Sequence, residues 1–221
     1  MLRFFTFVAV AAALCAGGHA QADDEFSSAR HYPALATKWN DIQSRMSQDA
    51  SHLVLCRADP QVCRPEEKRL AEILDASRER EGRARLGHIN RAVNLAIRPV
   101  SDMQRFGVAD HWSAPLETLL AGGGDCEDYA ILKFLILREA GFADADLKLL
   151  IVRPTASPTM HAVLAARNGG EWLVLDNRGF TLARLEDSPY RVLTQFSIEP
   201  VSDPAFIEIA SAGGSDLPPL L

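Results

Sequence analysis

An α+β fold, helices first and an antiparallel sheet after them, is predicted by three features of the chain. Apolar residues recur at helical spacing up to about residue 140 and at alternate positions beyond Gly141. A glycine run, Gly122-Gly123-Gly124, opens an apolar helix, and an Asn-Gly pair between two later strands signals a hairpin.

The first element is a leader. Arg3 precedes an apolar stretch of 13 residues, Phe4 to Ala16, too short to cross a bilayer and closing on small residues near Gly18-His19-Ala20. Residues 1–22 are therefore expected to be a secretory signal, cleaved after Ala20 or Ala22, with no transmembrane segment in the mature protein. Ala12-Ala13-Leu14 before Cys15 fits a lipoprotein signal poorly. Residues 23–210 are long enough for one domain with a core and short for two, and 211–221 read as a mobile tail. Losing Arg3 with the leader takes the net charge from −6 to −7, and an acidic protein without a basic run is a poor nucleic-acid binder.

Leu35, Trp39, Ile42 and Met46 mark a first helix. A second runs from about Pro65 to Arg80 on Leu70, Ile73 and Leu74, and a third carries Leu86, Ile89, Val93 and Ile97 up to Pro99. These stripes are core. Ser113 and Pro115 open a short helix that Gly122 ends. The strands are Leu147 to Val152, Met160 to Ala166 and Glu171 to Leu175, with a weaker one around Arg191 to Ile198. Cys56 and Cys63, flanking a Pro-containing loop, suit a disulfide in an oxidising compartment. Metal binding is the rival reading, but two thiols without a second pair make an incomplete zinc site.

Cys126 follows the glycines in Gly124-Asp125-Cys126-Glu127-Asp128-Tyr129-Ala130. Asp125 is placed to cap the helix and Asp128 to complete an acidic first turn, so Cys126 reads as the first helical residue, where free amides and the helix dipole favour a thiolate. A nucleophilic thiol needs a base and a group to orient that base. His161 starts one strand and Asp176 ends the next. With Asn168-Gly169 as a two-residue loop, 161 would pair with 176 across the ladder, within reach of a hydrogen bond, whereas a slip of one residue would put Asp176 on the opposite face. Taken singly, a cysteine at a helix start, a histidine on a strand and an aspartate at a turn are more often structural. Their conjunction in this order favours catalysis.

These residues, with Trp112-Ser113-Ala114-Pro115-Leu116-Glu117-Thr118-Leu119, His161-Ala162-Val163-Leu164 and Leu175-Asp176-Asn177, resemble the bacterial transglutaminase-like cysteine peptidases of the LapG type, over about Tyr32 to Ser197. The resemblance implies a papain-like, transglutaminase-type α+β fold with Cys126 as nucleophile, His161 as general base and acid, and Asp176 as orienter. It implies a periplasmic endopeptidase that cuts the N-terminal region of a large surface adhesin near paired alanines and so controls biofilm release. In the best-known systems an inner-membrane receptor that senses cyclic di-GMP sequesters the protease.

It also implies Ca²⁺. Asp125, Glu127 and Asp128 crowd carboxylates around the thiol and would raise its pKa, and a hard cation on those oxygens would cancel the charge, other oxygens completing its shell. The plainer alternative is that Asp125 only caps and Asp128 only decorates the first turn. A second oxyanion donor beside the Cys126 amide is expected upstream, with Asn90, Asn94 and Trp112 as candidates. Two further readings stay open: a transglutaminase or amidase that passes the acyl group to an amine, and a calcium-stabilised binding module without turnover.

Overall fold

The computed structural model describes residues 32–198. The expected leader 1–22 and tail 211–221 lie outside the described residues. No helix among them is long and apolar enough to cross a membrane.

Helix α1 is Pro33–Ala58 and buries Trp39, Ile42, Met46 and Leu53. It runs three turns beyond the stripe that announced it, to Cys56, whose disulfide with Cys63 ties it to the start of α2, Pro65–Arg78. Pro65 sits where a helix needs no amide hydrogen, and the Glu67 carboxylate accepts the Arg64 N–H at 2.8 Å. Helix α3, Gly82–Ala96, follows with Leu86, Ile89 and Val93 inside.

Of the next stretch, only the short helix from Pro115 that Gly122 ends was legible in the sequence. Strand β1, Arg98–Pro99, pairs in parallel with β2, Gly123–Gly124, and between them lie α4, Asp102–Phe106, and α5, Pro115–Ala121. The Arg98 amide donates to the Gly122 carbonyl and the Val100 amide to the Gly124 carbonyl, each at 3.0 Å, so the glycine run is stitched to the exit of α3. A two-residue parallel pair has no periodicity to read.

Helix α6, Cys126–Glu139, has every side chain from Cys126 to Leu137 buried. A helix apolar all round must sit at the centre of a fold. One side packs on the sheet, chiefly on β4, and the others on α3, α2 and α5. Trp39 of α1 meets Phe134 edge to face at 5.2 Å.

The sheet has the order β6-β5-β4-β3-β7 and its pairs are antiparallel: β3 Leu147–Pro154, β4 His161–Asn168, β5 Glu171–Leu175, β6 Ala183–Arg184 and β7 Tyr190–Phe196. Leu149, Ile151, Ala162, Leu164 and Ala166 face α6, while Leu150, Val152, Val163, Ala165 and Val174 form a smaller cluster on the opposite face.

The β4–β5 turn differs from the sequence expectation. Asn168 pairs with Glu171 and Leu164 with Leu175, so the loop is Gly169-Gly170 and the register is two residues away from the one expected. The turn requires positive φ twice, and the two glycines, at +61° and +88°, supply it with no Cβ to strain. A two-residue shift preserves the face of every side chain, so His161 and Asp176 stay on one side.

The disulfide closes a loop of sequence separation 7. Replacing both cysteines with serine is expected to lower unfolding stability by about 2 kcal/mol. Denaturant melts of the oxidised wild type and the double variant would measure it, and equal midpoints would mean that the loop is held without the bond.

Candidate active site

Cys126 stands where the glycine run meets α6. Gly124 has no room for a side chain, because a Cβ there would lie 2.6 Å from the Cβ of Asp128. Asp128 is pressed into that gap by two donors: the Ser113 amide to Oδ1 and Arg105 to Oδ2, both at 2.8 Å. The first turn of α6 is thus locked to the segment before α5. Asp125 occupies the N-cap position, but its side chain makes no capping hydrogen bond. The cap expected from the sequence is absent because that carboxylate is turned toward Glu127 and Asp102 instead.

The Cys126 sulfur is tied to the sheet. β5 ends at Leu175, opposite Leu164, and beyond that point the Ala162 amide donates to Cys126 Sγ at 3.3 Å. His161 is the neighbour of that amide. Its Nε2 lies 2.9 Å from Asp176 Oδ1, while its Nδ1 is buried with no hydrogen-bond partner. Cys126, His161 and Asp176 are therefore brought to one end of the sheet. His161 and Asp176 meet on a diagonal, not directly opposite as the sequence register had them.

Asp176 is held on every side. Oδ1 also accepts the Arg178 amide at 3.0 Å, and Oδ2 accepts the Tyr190 hydroxyl. Burial would raise its pKa, but the bonds from His161, Tyr190 and the Arg178 amide outweigh that and hold it well below the usual carboxylate range. Tyr190 is a residue that sequence reasoning missed. Ile151 pairs with Thr194 but Val152 with Val192, leaving Leu193 as a bulge in β7. That extra residue turns Val192 and Tyr190 onto the His161 face, where the Tyr190 and His161 rings lie 5.8 Å apart. A bulge leaves no mark in composition.

Asn94 has both amide hydrogens engaged, and Asn90 is aimed at the same turn. Both Nδ2 groups donate to the Gly179 carbonyl, at 3.0 and 2.9 Å, and Asn94 also to the Asp176 carbonyl at 2.8 Å. They buttress the turn after β5. The Trp112 indole N–H is buried without a partner, and its ring stacks edge to face on Phe196.

The acidic group around the thiol is larger than the sequence suggested. Carboxylate oxygens of Asp102, Asp110 and Glu127 lie within 4.8 Å of one another, as do those of Asp102, Asp125 and Asp128. Asp102, the residue shared by both sets, and Asp110 were not foreseen, because α4 and the loop after it had no pattern to place them. Burial first, and then the neighbouring carboxylates, push Asp125 up to about 6, Asp128 up to about 7 and Glu127 well above its ordinary value. Cys126, whose thiol donates to Glu127 Oε2 at 3.2 Å, is pushed up by burial and by Glu127. The thiolate-favouring effect expected of the helix start is overridden.

Asp102 Oδ1, Asp125 Oδ1 and Glu127 Oε1 are buried with no hydrogen-bond donor, and their residues belong to the two carboxylate groups that share Asp102. Several hard, anionic, unpartnered oxygens suit a hard divalent cation. Asp128 has both oxygens engaged already, and Asp110 is paired with Lys38 at 2.8 Å.

A family model described as bacterial transglutaminase-like cysteine proteinase matches residues 42–207. Among solved structures, Legionella pneumophila LapG is similar at 22% identity and a TM-score of 0.54, covering 72% of this chain and 84% of that one. Its EGTA-treated form gives 22% and 0.54 over 72% and 82%, and its calcium-bound form 21% and 0.54 over 72% and 84%. This likeness supports the fold. No curated protein sequence matches.

Because the Asp176 pKa is depressed in the folded state, its contribution to stability is present above the ordinary carboxylate pKa and lost as pH falls toward the folded value. Asp176→Asn is therefore expected to be less stable than wild type by about 2 kcal/mol at neutral pH, with the gap closing in acid. Thermal melts of both proteins from pH 7 to pH 3 would show this, and a gap that does not change with pH would refute it.

Proposed function

The chain belongs to the bacterial transglutaminase-like cysteine proteinases, and from that membership we propose a calcium-dependent endopeptidase that works through Cys126, His161 and Asp176. The observation that carries the triad is the division of labour on one imidazole: Nε2 is engaged by Asp176, and Nδ1 is buried and unpartnered beside the residue whose amide holds the thiol. With Nε2–H donated to the carboxylate, Nδ1 carries the lone pair.

His161 Nδ1 takes the thiol proton as Sγ attacks the scissile carbonyl carbon. The oxyanion is met by the Cys126 backbone N–H at the start of α6, which has no intrahelical acceptor. His161 then gives its proton to the leaving amine, and the C–N bond breaks to leave a thioester. Water, deprotonated by His161, attacks that thioester, and the proton returns to sulfur. Asp176 keeps one tautomer in place and stabilises the imidazolium at each stage.

Asp102, Asp125 and Glu127 would hold Ca²⁺ through their unpartnered oxygens, with Asp128 and Asp110 adding charge at its edge. The cation would supply compensating positive charge beside Cys126, lowering the cost of the thiolate. The calcium-bound and EGTA-treated forms of Legionella LapG support this choice of metal.

The substrate in this reading is the N-terminal region of a large surface adhesin, cut near paired alanines in the periplasm after export on residues 1–22, with an inner-membrane cyclic di-GMP receptor as regulator. The test is incubation of the mature protein with such an adhesin fragment from the same cell. Wild type with Ca²⁺ is expected to yield two fragments whose masses add to the substrate plus one water. Chelator should abolish cutting and lower the thermal midpoint, and Cys126→Ala should reduce the rate by about 10⁴-fold or more. Crosslinked or aminated products would show acyl transfer instead, and cutting that survives chelator would remove calcium from the mechanism.

A further inference from the structure

Lys133 is fully buried in the middle of α6, among Ile131, Leu132, Phe134, Leu135, Ile136 and Leu137. An ammonium taken into such surroundings opposes folding unless an acid is in contact with it. Among the described residues Lys133 forms no ion pair with a carboxylate. Its contacts are the Leu175 carbonyl, which accepts from Nζ at 3.4 Å, and the Tyr129 ring, 5.7 Å away. An apolar side chain of the same length would pack there without the desolvation, so a role other than stability is indicated.

The Leu175 carbonyl belongs to the peptide plane that leads into Asp176. Restraining its oxygen restrains rotation about the N–Cα bond of Asp176. On the other side, the Asp176 carbonyl is held by Asn94 Nδ2 at 2.8 Å. The two peptide planes that flank Asp176 are thus held from two different helices, α6 and α3: the first hangs from the last pair of the β4–β5 ladder, Leu164 with Leu175, and the second lies beyond it.

We propose that Lys133 is a positioning residue for the triad's acid: by holding the Leu175 carbonyl, its Nζ fixes the exit from β5 so that the Asp176 carboxylate stays on His161. This rests on the triad reading above. The ionisable groups facing Lys133 are Tyr129 on its own helix and Asp176 beyond β5. Burial draws the lysine down to about 7, against a pull upward from Asp176. The clamp does not need the charge, since a neutral amine still has hydrogens to donate.

The test compares Lys133→Met and Lys133→Gln with wild type, each as the calcium-loaded mature protein. Methionine fills the space without a donor, and glutamine restores one. The Met variant is expected to keep or raise the thermal midpoint while kcat falls about 10- to 100-fold and KM moves less than about threefold. Glutamine should recover most of the rate. In NMR spectra of substrate-free protein, the low-field imidazole N–H resonance of the His161–Asp176 bond should be shifted or broadened by Met and preserved by Gln. A Met variant with wild-type kcat and resonance overturns the proposal. So does a midpoint lowered by about 5 °C or more in both variants with the resonance in place, which would make Lys133 structural. Because the resonance needs no substrate, wild type that shows it but cuts nothing would count against the peptidase reading alone.

Discussion

The first turn of α6 concentrates buried negative charge. Asp125, Glu127 and Asp128 are all within it, Asp102 and Asp110 are folded against it, and the Cys126 thiol lies among them. Two like charges about 4 Å apart repel by about 4 kcal/mol at an effective dielectric near 20. Against this the protein sets Arg105, which pairs with Asp128, and Lys38, which pairs with Asp110. The remaining carboxylates must be protonated or neutralised from outside. That constraint ties the reactivity of the sulfur to the charge state of the turn, which is the physical reason to expect a cation in the chemistry.

The sheet is arranged around the same turn. β5 stops at Leu175, two residues short of where it would cover the Ala162 amide from the side, and the sulfur takes that amide. The bulge at Leu193 then brings Tyr190 to the far oxygen of Asp176. One short strand and one irregular strand leave the space at which Cys126, His161 and Asp176 come together. Regular strands of full length would have closed it with ladder hydrogen bonds.

Much of this was readable in the chain because it is local or periodic. The helical stripes, the strands beyond Gly141, the helix start at Cys126 and the pairing of Cys56 with Cys63 all follow from patterns within a few residues. The hairpin register missed by two, since Asn168 is a weaker candidate for positive φ than Gly170, yet the face of Asp176 was safe because parity and not register decides it. What could not be read depends on packing between distant segments. Asp102 and Asp110 enter the acidic cluster only because β1 pairs with β2 and folds α4 over the glycine run. Asn90 and Asn94 had the right chemistry for an oxyanion hole, but their helix directs them at the Asp176–Gly179 turn. Asp125 had the right position for a cap, yet its carboxylate is drawn into the cluster.

The two halves of the site are held very differently. Asp176 receives hydrogen bonds to its side chain from β4, β7 and its own turn, and α3 and α6 clamp the peptide planes around it. These contacts are made by fixed protein groups, and none involves the acidic cluster. The sulfur, by contrast, has one amide from the sheet and one carboxylate that opposes its ionisation. His161 and Asp176 are therefore preorganised by the fold whatever occupies the acidic turn, while the protonation of Cys126 follows the charge there; in the proposed mechanism these are the base, its orienter and the nucleophile. A site built in this way can be switched at the thiol without disturbing the rest of its geometry. In the proposed mechanism that control resides in the first turn of α6, where a cation among the carboxylates would act on the sulfur most directly.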